Sequence, residues 1–345
     1  MGQGAQRAFP GAVLTWGQPG RDSRQTVWAG RRGRTRNQEP VTASLGYDLA
    51  SLTKVLATTF LVAGEVSRGR LDLAATLGDL GWSGPVQRLT LRDLLAHRSG
   101  LPPWRPFYLL KSAESPRDRY RRALAQEPLI SRPGQETIYS DLNFLILGLV
   151  LEDLNGQSLA SLFATRVAQP LGLTRLGYTP EWGPLAPTED GFRVGGPLTY
   201  PGLPYLGPVP LGRAHDDNAA GLGGVAGQAG LFGSVGAVWA VLRSWAGILA
   251  GQVNLVEKKV LTAFLEPQSV ETGPPRALGF ALGEGPWAGL VGHWGYTGGG
   301  LWWDPVQDWA LAFLTNRVHP TAREGGVVAF RQELGLLLGP RGALS

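Results

Sequence analysis

Between Leu278 and Thr315 the chain runs through four β-type stretches: Leu278 to Leu282, Gly289 to Trp294, Gly300 to Trp303 and Trp309 to Thr315. Turn residues separate them. Connections this short join antiparallel strands, because parallel neighbours need a crossover of a dozen or more residues. The end of the chain is therefore expected to form an antiparallel sheet. Near the start, Val13 to Trp16 and Gln25 to Ala29 are two further β-type runs, with Gln18-Pro19-Gly20 as turn material between them. That hairpin is expected to join the same sheet. Gly325 to Leu338 reads as a closing helix.

The region between is mostly helical. Thr42 to Leu49 leads into a pattern in which Leu52, Val55, Leu56 and Phe60 recur at helical spacing, with Ser51 at its start. Leu89 to His97 is a helix with Thr90 as its cap, broken by Ser99-Gly100-Leu101-Pro102. Arg117 to Gln126 reads as a surface helix, Asn143 to Leu154 as a buried one and Ala237 to Leu249 as another. Pro180 to Pro210 has no period and reads as loop. Asn218 to Leu242 is uncharged but holds seven glycines, so it reads as a flexible loop feeding a helix. A membrane span would be denser in large apolar side chains, and no stable membrane insertion is expected.

The composition narrows the function. At 345 residues there is room for one large domain or two ordinary ones, and 43% hydrophobic against 17% charged residues supplies a large core. Without cysteine, disulfides, thiolate metal sites and cysteine nucleophiles are excluded. The net charge of +5 is thinly spread. The basic cluster Arg31, Arg32, Arg34 and Arg36 reads as a solvated loop, and no basic face interleaved with aromatics suggests a nucleic-acid partner. Met1 to Pro10 has no apolar core of a signal peptide. That reads as cytoplasmic for the chain as given, with a periplasmic or secreted location open for a chain already trimmed. Oligomeric state is open.

Only four of the 32 basic residues are lysines: Lys54, Lys111, Lys258 and Lys259. Lysine can lose its proton near neutral pH in a suitable environment, and arginine cannot. Lys54 lies three residues after Ser51, so a helix puts amine and hydroxyl on one side. A serine hydroxyl needs a base before it becomes a nucleophile. Lysine serves only if its pKa falls by roughly 3 units, which takes about 4 kcal/mol of environment. The helix start and the Ser51 N–H favour negative charge nearby. Tyr139-Ser140-Asp141 follows Pro133-Gly134 and precedes the buried helix; a nearby cation would let the tyrosine shuttle a proton. His293-Trp294-Gly295-Tyr296 ends a β-type run. There Gly295 would let a substrate approach the backbone, the Tyr296 N–H could donate to an oxyanion, and His293 could bind a carboxylate or relay a proton. Alone, each motif also has an ordinary reading: a capping serine, a packed tyrosine, a structural histidine.

Together, in this order, the three motifs resemble those of the penicillin-binding-protein-like serine hydrolases. That superfamily includes class C β-lactamases, DD-carboxypeptidases, D-amino-acid amidases and family-VIII-type esterases, and its pattern is S-x-x-K, Y-x-N or Y-x-S, then K-T-G or H-x-G. The likeness extends to Asp48 to Lys54, Leu91 to Pro102, Tyr139 to Phe144, Leu301 to Pro305 and Leu314 to Arg317. His215 to Ala219 and Gly223 to Phe232 are similar to a branch of β-lactamase-like proteins, some linked to cell-wall amino-sugar processing. His215, Asp216 and Asp217 are too few donors for a metal site, and a loop bracing the active site is expected there.

The resemblance implies a β-lactamase/transpeptidase-like fold of α/β (α+β) type, an antiparallel sheet flanked by helices plus a mostly helical domain. Residues 1–68 and 236–345 would form the sheet domain and 69–235 the helical and loop domain, with the active site between them. It implies Ser51, Lys54 and Tyr139 as catalytic residues and the N–H groups of Ser51 and Tyr296 as oxyanion hole. Asp141, His293 and Gly295 would lie around the substrate. No metal or organic cofactor is called for, and the partner is a small-molecule or peptide-like acyl substrate.

Two departures bear on the chemistry. Asp141 stands where many members have a neutral Asn, and its charge would hold Lys54 as an ammonium and favour Tyr139 as the base. His293 stands where β-lactamases usually have lysine. Both lead to the expectation of esterase or amidase activity with weak or no β-lactamase activity. The rival expectation is a binding or sensor protein that acylates without turnover. A conventional α/β-hydrolase is disfavoured because no G-x-S-x-G elbow occurs.

Overall fold

The structure, a computed structural model, describes residues 8–34, 39–191, 193–196, 200–268, 272–322 and 325–339. Arg36 of the basic cluster, and residues 192 and 197–199 of the expected central loop, lie outside the described residues. The hairpin forms from β1, Gly11–Gln18, and β2, Ser23–Gly30. A short strand β3, Gly46–Asp48, then feeds a helix. That helix begins at Leu52, takes π-helical geometry over Lys54–Thr59 and continues as α1, Phe60–Ser67. Its apolar positions Leu52, Val55, Leu56 and Phe60 are all buried.

The middle follows as α2, Leu91–Leu95; α3, Pro116–Ala125; α4, Asp141–Asn155; and α5, Leu159–Phe163, which runs on in π-helical geometry to Ala168. Thr90 caps α2 in a reciprocal box with Asp93, satisfying two otherwise orphaned N–H groups. Leu142 to Leu151 of α4 are buried throughout, as a helix apolar on all sides must be. Next come β4, Leu176–Tyr178; a small ribbon of β5, Arg193–Val194, with β6, Tyr205–Leu206; and α6, Asp217–Gly221. The chain ends with β7, Leu231–Ser234; α7, Val235–Leu249; α8, Lys258–Leu265; β8, Ala281–Leu282; β9, Val291–Trp294; β10, Gly300–Asp304; β11, Trp309–Thr315; and α9, Val327–Leu338.

The main sheet has the order β2-β1-β11-β10-β9-β8, antiparallel at each pairing of known register, so the hairpin does join the C-terminal strands. Val13 pairs with Leu314, across almost the whole chain. Both faces are covered. Val13, Trp303, Ala310, Ala312 and Leu314 belong to the large core, against which α7 packs. Leu14, Trp302, Leu311 and Phe313 face the other way, toward Leu334 and Leu338 of α9. The period of two is that of a strand, with both of its faces apolar.

The segment from Asn218 to Leu242 departs from expectation. It is not a flexible loop: it contains most of α6 and all of β7, the central strand of a second sheet, β3-β7-β4. Strands of three or four residues are too short for alternation to register in a sequence. Helix α8 was likewise not expected, and β8 is shorter than the run Leu278 to Leu282. Among the described residues, no helix is long and apolar enough to cross a membrane.

Candidate active site

Ser51, Lys54 and Tyr139, 88 residues apart at the extremes, meet at the floor of a cleft of about 450 Å³. Ser51 Oγ receives a hydrogen bond from Lys54 Nζ at 2.9 Å and one from the Tyr139 hydroxyl at 2.8 Å. The turn that presents Ser51 is held from both sides. Ala50 takes a left-handed conformation, φ +45°, which costs a residue with a Cβ roughly 1 kcal/mol. The buried Asp48 fixes it: one carboxylate oxygen accepts the Ala50 N–H at 2.8 Å and the other the His215 N–H at 2.7 Å. The Asp48 carbonyl accepts the Thr297 hydroxyl at 2.7 Å.

Lys54 is fully buried and all three of its protons have acceptors. Besides Ser51 these are Asp141 Oδ1 at 2.7 Å and the Gln228 carbonyl at 3.1 Å. Burial alone would lower its pKa, but Asp141 and Tyr139 outweigh it, and the net shift is upward. The amine is thus an ammonium at neutral pH, in the direction expected from the Asp141 departure. For Tyr139, burial raises the pKa and Lys54 opposes the rise without cancelling it.

Three groups frame the Tyr139 ring. His97 lies 4.7 Å from it and His293 5.7 Å, centroid to centroid, and the Arg276 guanidinium sits 5.3 Å over its face. His97 Nδ1 accepts the Ser140 N–H at 3.0 Å, while the Asp141 N–H is bound by the Pro103 carbonyl at 2.9 Å. The segment after α2 therefore clamps the start of α4, which carries Tyr139 and Asp141. Burial, then Arg276, hold both histidines well below the usual imidazole range, so both are neutral.

His293 lines the cleft beside Tyr139. Its Nδ1–H donates to the Trp294 carbonyl at 2.7 Å, leaving Nε2 as a buried acceptor with no partner among the described residues. An uncharged acceptor attracts no carboxylate. Gly295 also has a reason other than the one expected. A Cβ there would stand 2.8 Å from the Leu49 carbonyl, so glycine lets β9 close against the Ser51 turn. Ser51 and Tyr296 both line the cleft, and neither N–H has an acceptor among the described residues.

The bracing segment divides its residues among separate partners. His215 Nε2 lies 2.8 Å from Glu189 and its ring stacks on Tyr296; Arg193 binds Asp217 through two bonds of 2.9 and 2.5 Å; and Asp216 caps α6 through the Ala219 N–H. Burial and the nearby Asp141 push Asp216 up to about 6. The sequence reading missed Asp48, His97, Gln228, Arg276 and Arg331. Asp48 and His97 lay inside segments already singled out. The two arginines carried no signal, being two among 28.

A mixed α/β fold in which an amine and a phenol converge on one serine hydroxyl at the floor of a cleft defines a serine hydrolase. Residues 2–334 match the Beta-lactamase family model, and the chain belongs to that family. It is 28% identical over 350 residues to N-acetylmuramyl-L-alanine amidase of Bacillus subtilis, spanning 90% of this chain and 78% of the relative. It is 30% identical over 317 residues to a putative D-alanyl-D-alanine carboxypeptidase of Escherichia coli K12, spanning 82% and 72%. Among solved structures, EstCE1, a hydrolase with promiscuous acyltransferase activity, shares the fold with a TM-score of 0.72, 21% identity and coverage of 94% and 95% of the two chains.

Proposed function

We propose that the protein hydrolyses ester or amide bonds through an acyl-enzyme on Ser51, with weak or no β-lactamase activity. The observation that carries this is the pair of bonds at Ser51 Oγ, 2.9 Å from the lysine and 2.8 Å from the tyrosine. In the reactive form Tyr139 is a phenolate held by the Lys54 ammonium. It takes the Ser51 proton as Oγ attacks the substrate carbonyl. The N–H groups of Ser51 and Tyr296 receive the oxyanion, a contribution of about 3 kcal/mol per donor. Tyr139 then protonates the leaving group, and water releases the acyl group by the same steps in reverse order.

A cleft of about 450 Å³ suits a small or peptide-like acyl substrate. Neutral His293 adds no positive charge of its own, so the cleft's charge toward an acidic substrate comes from arginines, Arg276 among them, and not from the position where β-lactamases usually have lysine. Arg276, without a carboxylate partner among the described residues, supplies positive charge beside Tyr139, where the leaving group departs. This favours peptide-like amides, in keeping with the relatives named amidase and carboxypeptidase. Intact-mass measurement after exposure to p-nitrophenyl esters, a fluorophosphonate and a penicillin tests the reading. The expected result is an adduct on the wild type, none on Ser51→Ala, and steady ester turnover by the wild type alone. Full hydrolysis by Ser51→Ala would overturn it. A burst of one equivalent without turnover would also overturn it, in favour of a binding protein.

A further inference from the structure

The N–H of Tyr296 and the carbonyl of Gly295 belong to one peptide unit. That peptide is trans, so its two groups point in opposite directions and fixing one aims the other. The Gly295 carbonyl is held twice: by the Gly298 N–H at 3.0 Å and by Arg331 Nη2 at 3.0 Å. Both lone pairs are then in use. The same Arg331 nitrogen reaches the Gly299 carbonyl at 3.4 Å, which also accepts the Gly295 N–H at 2.8 Å. One guanidinium thus spans the whole turn from β9 to β10. It comes from α9 and lies 4.4 Å over the Trp294 ring.

Arg331 has no carboxylate within ion-pair distance among the described residues. A half-buried charge left without a counter-ion is costly, so its direction matters. Here it falls on the carbonyl of the peptide whose N–H belongs to Tyr296, a residue that lines the cleft and whose N–H has no acceptor among the described residues. A cation bound to an amide oxygen polarises the amide and strengthens its N–H as a donor. Burial, with Arg317 nearby, lowers Arg331 to about 10, which leaves it charged at neutral pH.

We propose that Arg331 is a positioning residue of the oxyanion hole: it orients and polarises the Gly295–Tyr296 peptide so that its N–H meets the developing oxyanion. This rests on the acyl-enzyme reading above. Arg331 also lines the cleft, but in this role it acts through the peptide and not by contact with substrate. Its loss should therefore lower kcat more than it raises KM.

The test compares wild type, Arg331→Met and Arg331→Lys by difference infrared spectroscopy of the acyl-enzyme made with a 13C-carbonyl ester. Matched ester and thionoester hydrolysis is measured alongside, and thermal melts check folding. In Arg331→Met the acyl carbonyl stretch is expected to move to higher wavenumber, as its hydrogen bonding weakens. Ester kcat is expected to fall by about 10- to 100-fold, and thionoester hydrolysis by much less, because sulfur draws little from the hole. Arg331→Lys should recover part of both effects, and it gives the answer alone if the Met variant melts early. An acyl-enzyme with an unmoved carbonyl stretch and an equal fall for both substrates would overturn the assignment while leaving the acyl-enzyme intact. Failure of the wild type to acylate at Ser51 would overturn both.

Discussion

Lys54 cannot act as a resting base while Asp141 lies 2.7 Å from it, because the carboxylate keeps the proton on the amine. Asp141 also raises Tyr139, adding to the larger effect of burial. The phenolate is then a minor form at neutral pH, and its fraction grows tenfold for each unit the pH rises below that pKa. Ester kcat/KM is expected to climb steadily from about pH 7 to about pH 9. Asp141→Asn removes a cause that raises both groups, so the climbing limb should move toward lower pH. A limb that stays in place would show that another group is the base. Ser51, Lys54, Tyr139, Asp141 and His293 were legible in the sequence because each sits in a short motif with fixed spacing. Arg276 and Arg331 were not, because their importance comes from where their charge falls, beside Tyr139 and on the Gly295 carbonyl, and only the fold reveals that.

The helix carrying Lys54 depends on a tight crossing at the scale of elements. Thr58 donates to the Gly227 carbonyl at 2.7 Å, and the next residue's carbonyl is the third acceptor of Lys54. A Cβ on Gly227 would lie 2.0 Å from the Phe144 carbonyl of α4. Gly227→Ala is expected to cost about 1–3 kcal/mol of stability through overpacking. It should also reduce kcat, because Gln228 moves with it. Urea unfolding and ester kinetics on the same variant check this; an unchanged kcat would mean that the Gln228 carbonyl is dispensable. In the sequence this crossing reads as a flexible loop feeding a helix, since glycines mark turns and close packing alike and only neighbours distinguish them. The long elements fared better. The hairpin, α4, α7 and the last strand, β11, each span enough residues to display their period, while the shorter meander strands were marked by the turn residues between them.

At the scale of the whole molecule, α9 both covers the sheet and delivers Arg331 to the cleft. Leu334, one turn further on, packs with Trp287, Trp302 and Phe313. Leu334→Ala is expected to cost about 2–4 kcal/mol in urea unfolding followed by tryptophan fluorescence. A loss under about 1 kcal/mol would mean that this face repacks easily. The ends of the chain are stitched together, since β1 finds its second neighbour in β11. A ribosome making this protein releases the reactive serine early and the strand that completes the sheet almost last. During that interval the opening hairpin is an unfinished edge. A nascent chain stopped short of Thr315 would carry its nucleophile without the wall that aims a substrate at it.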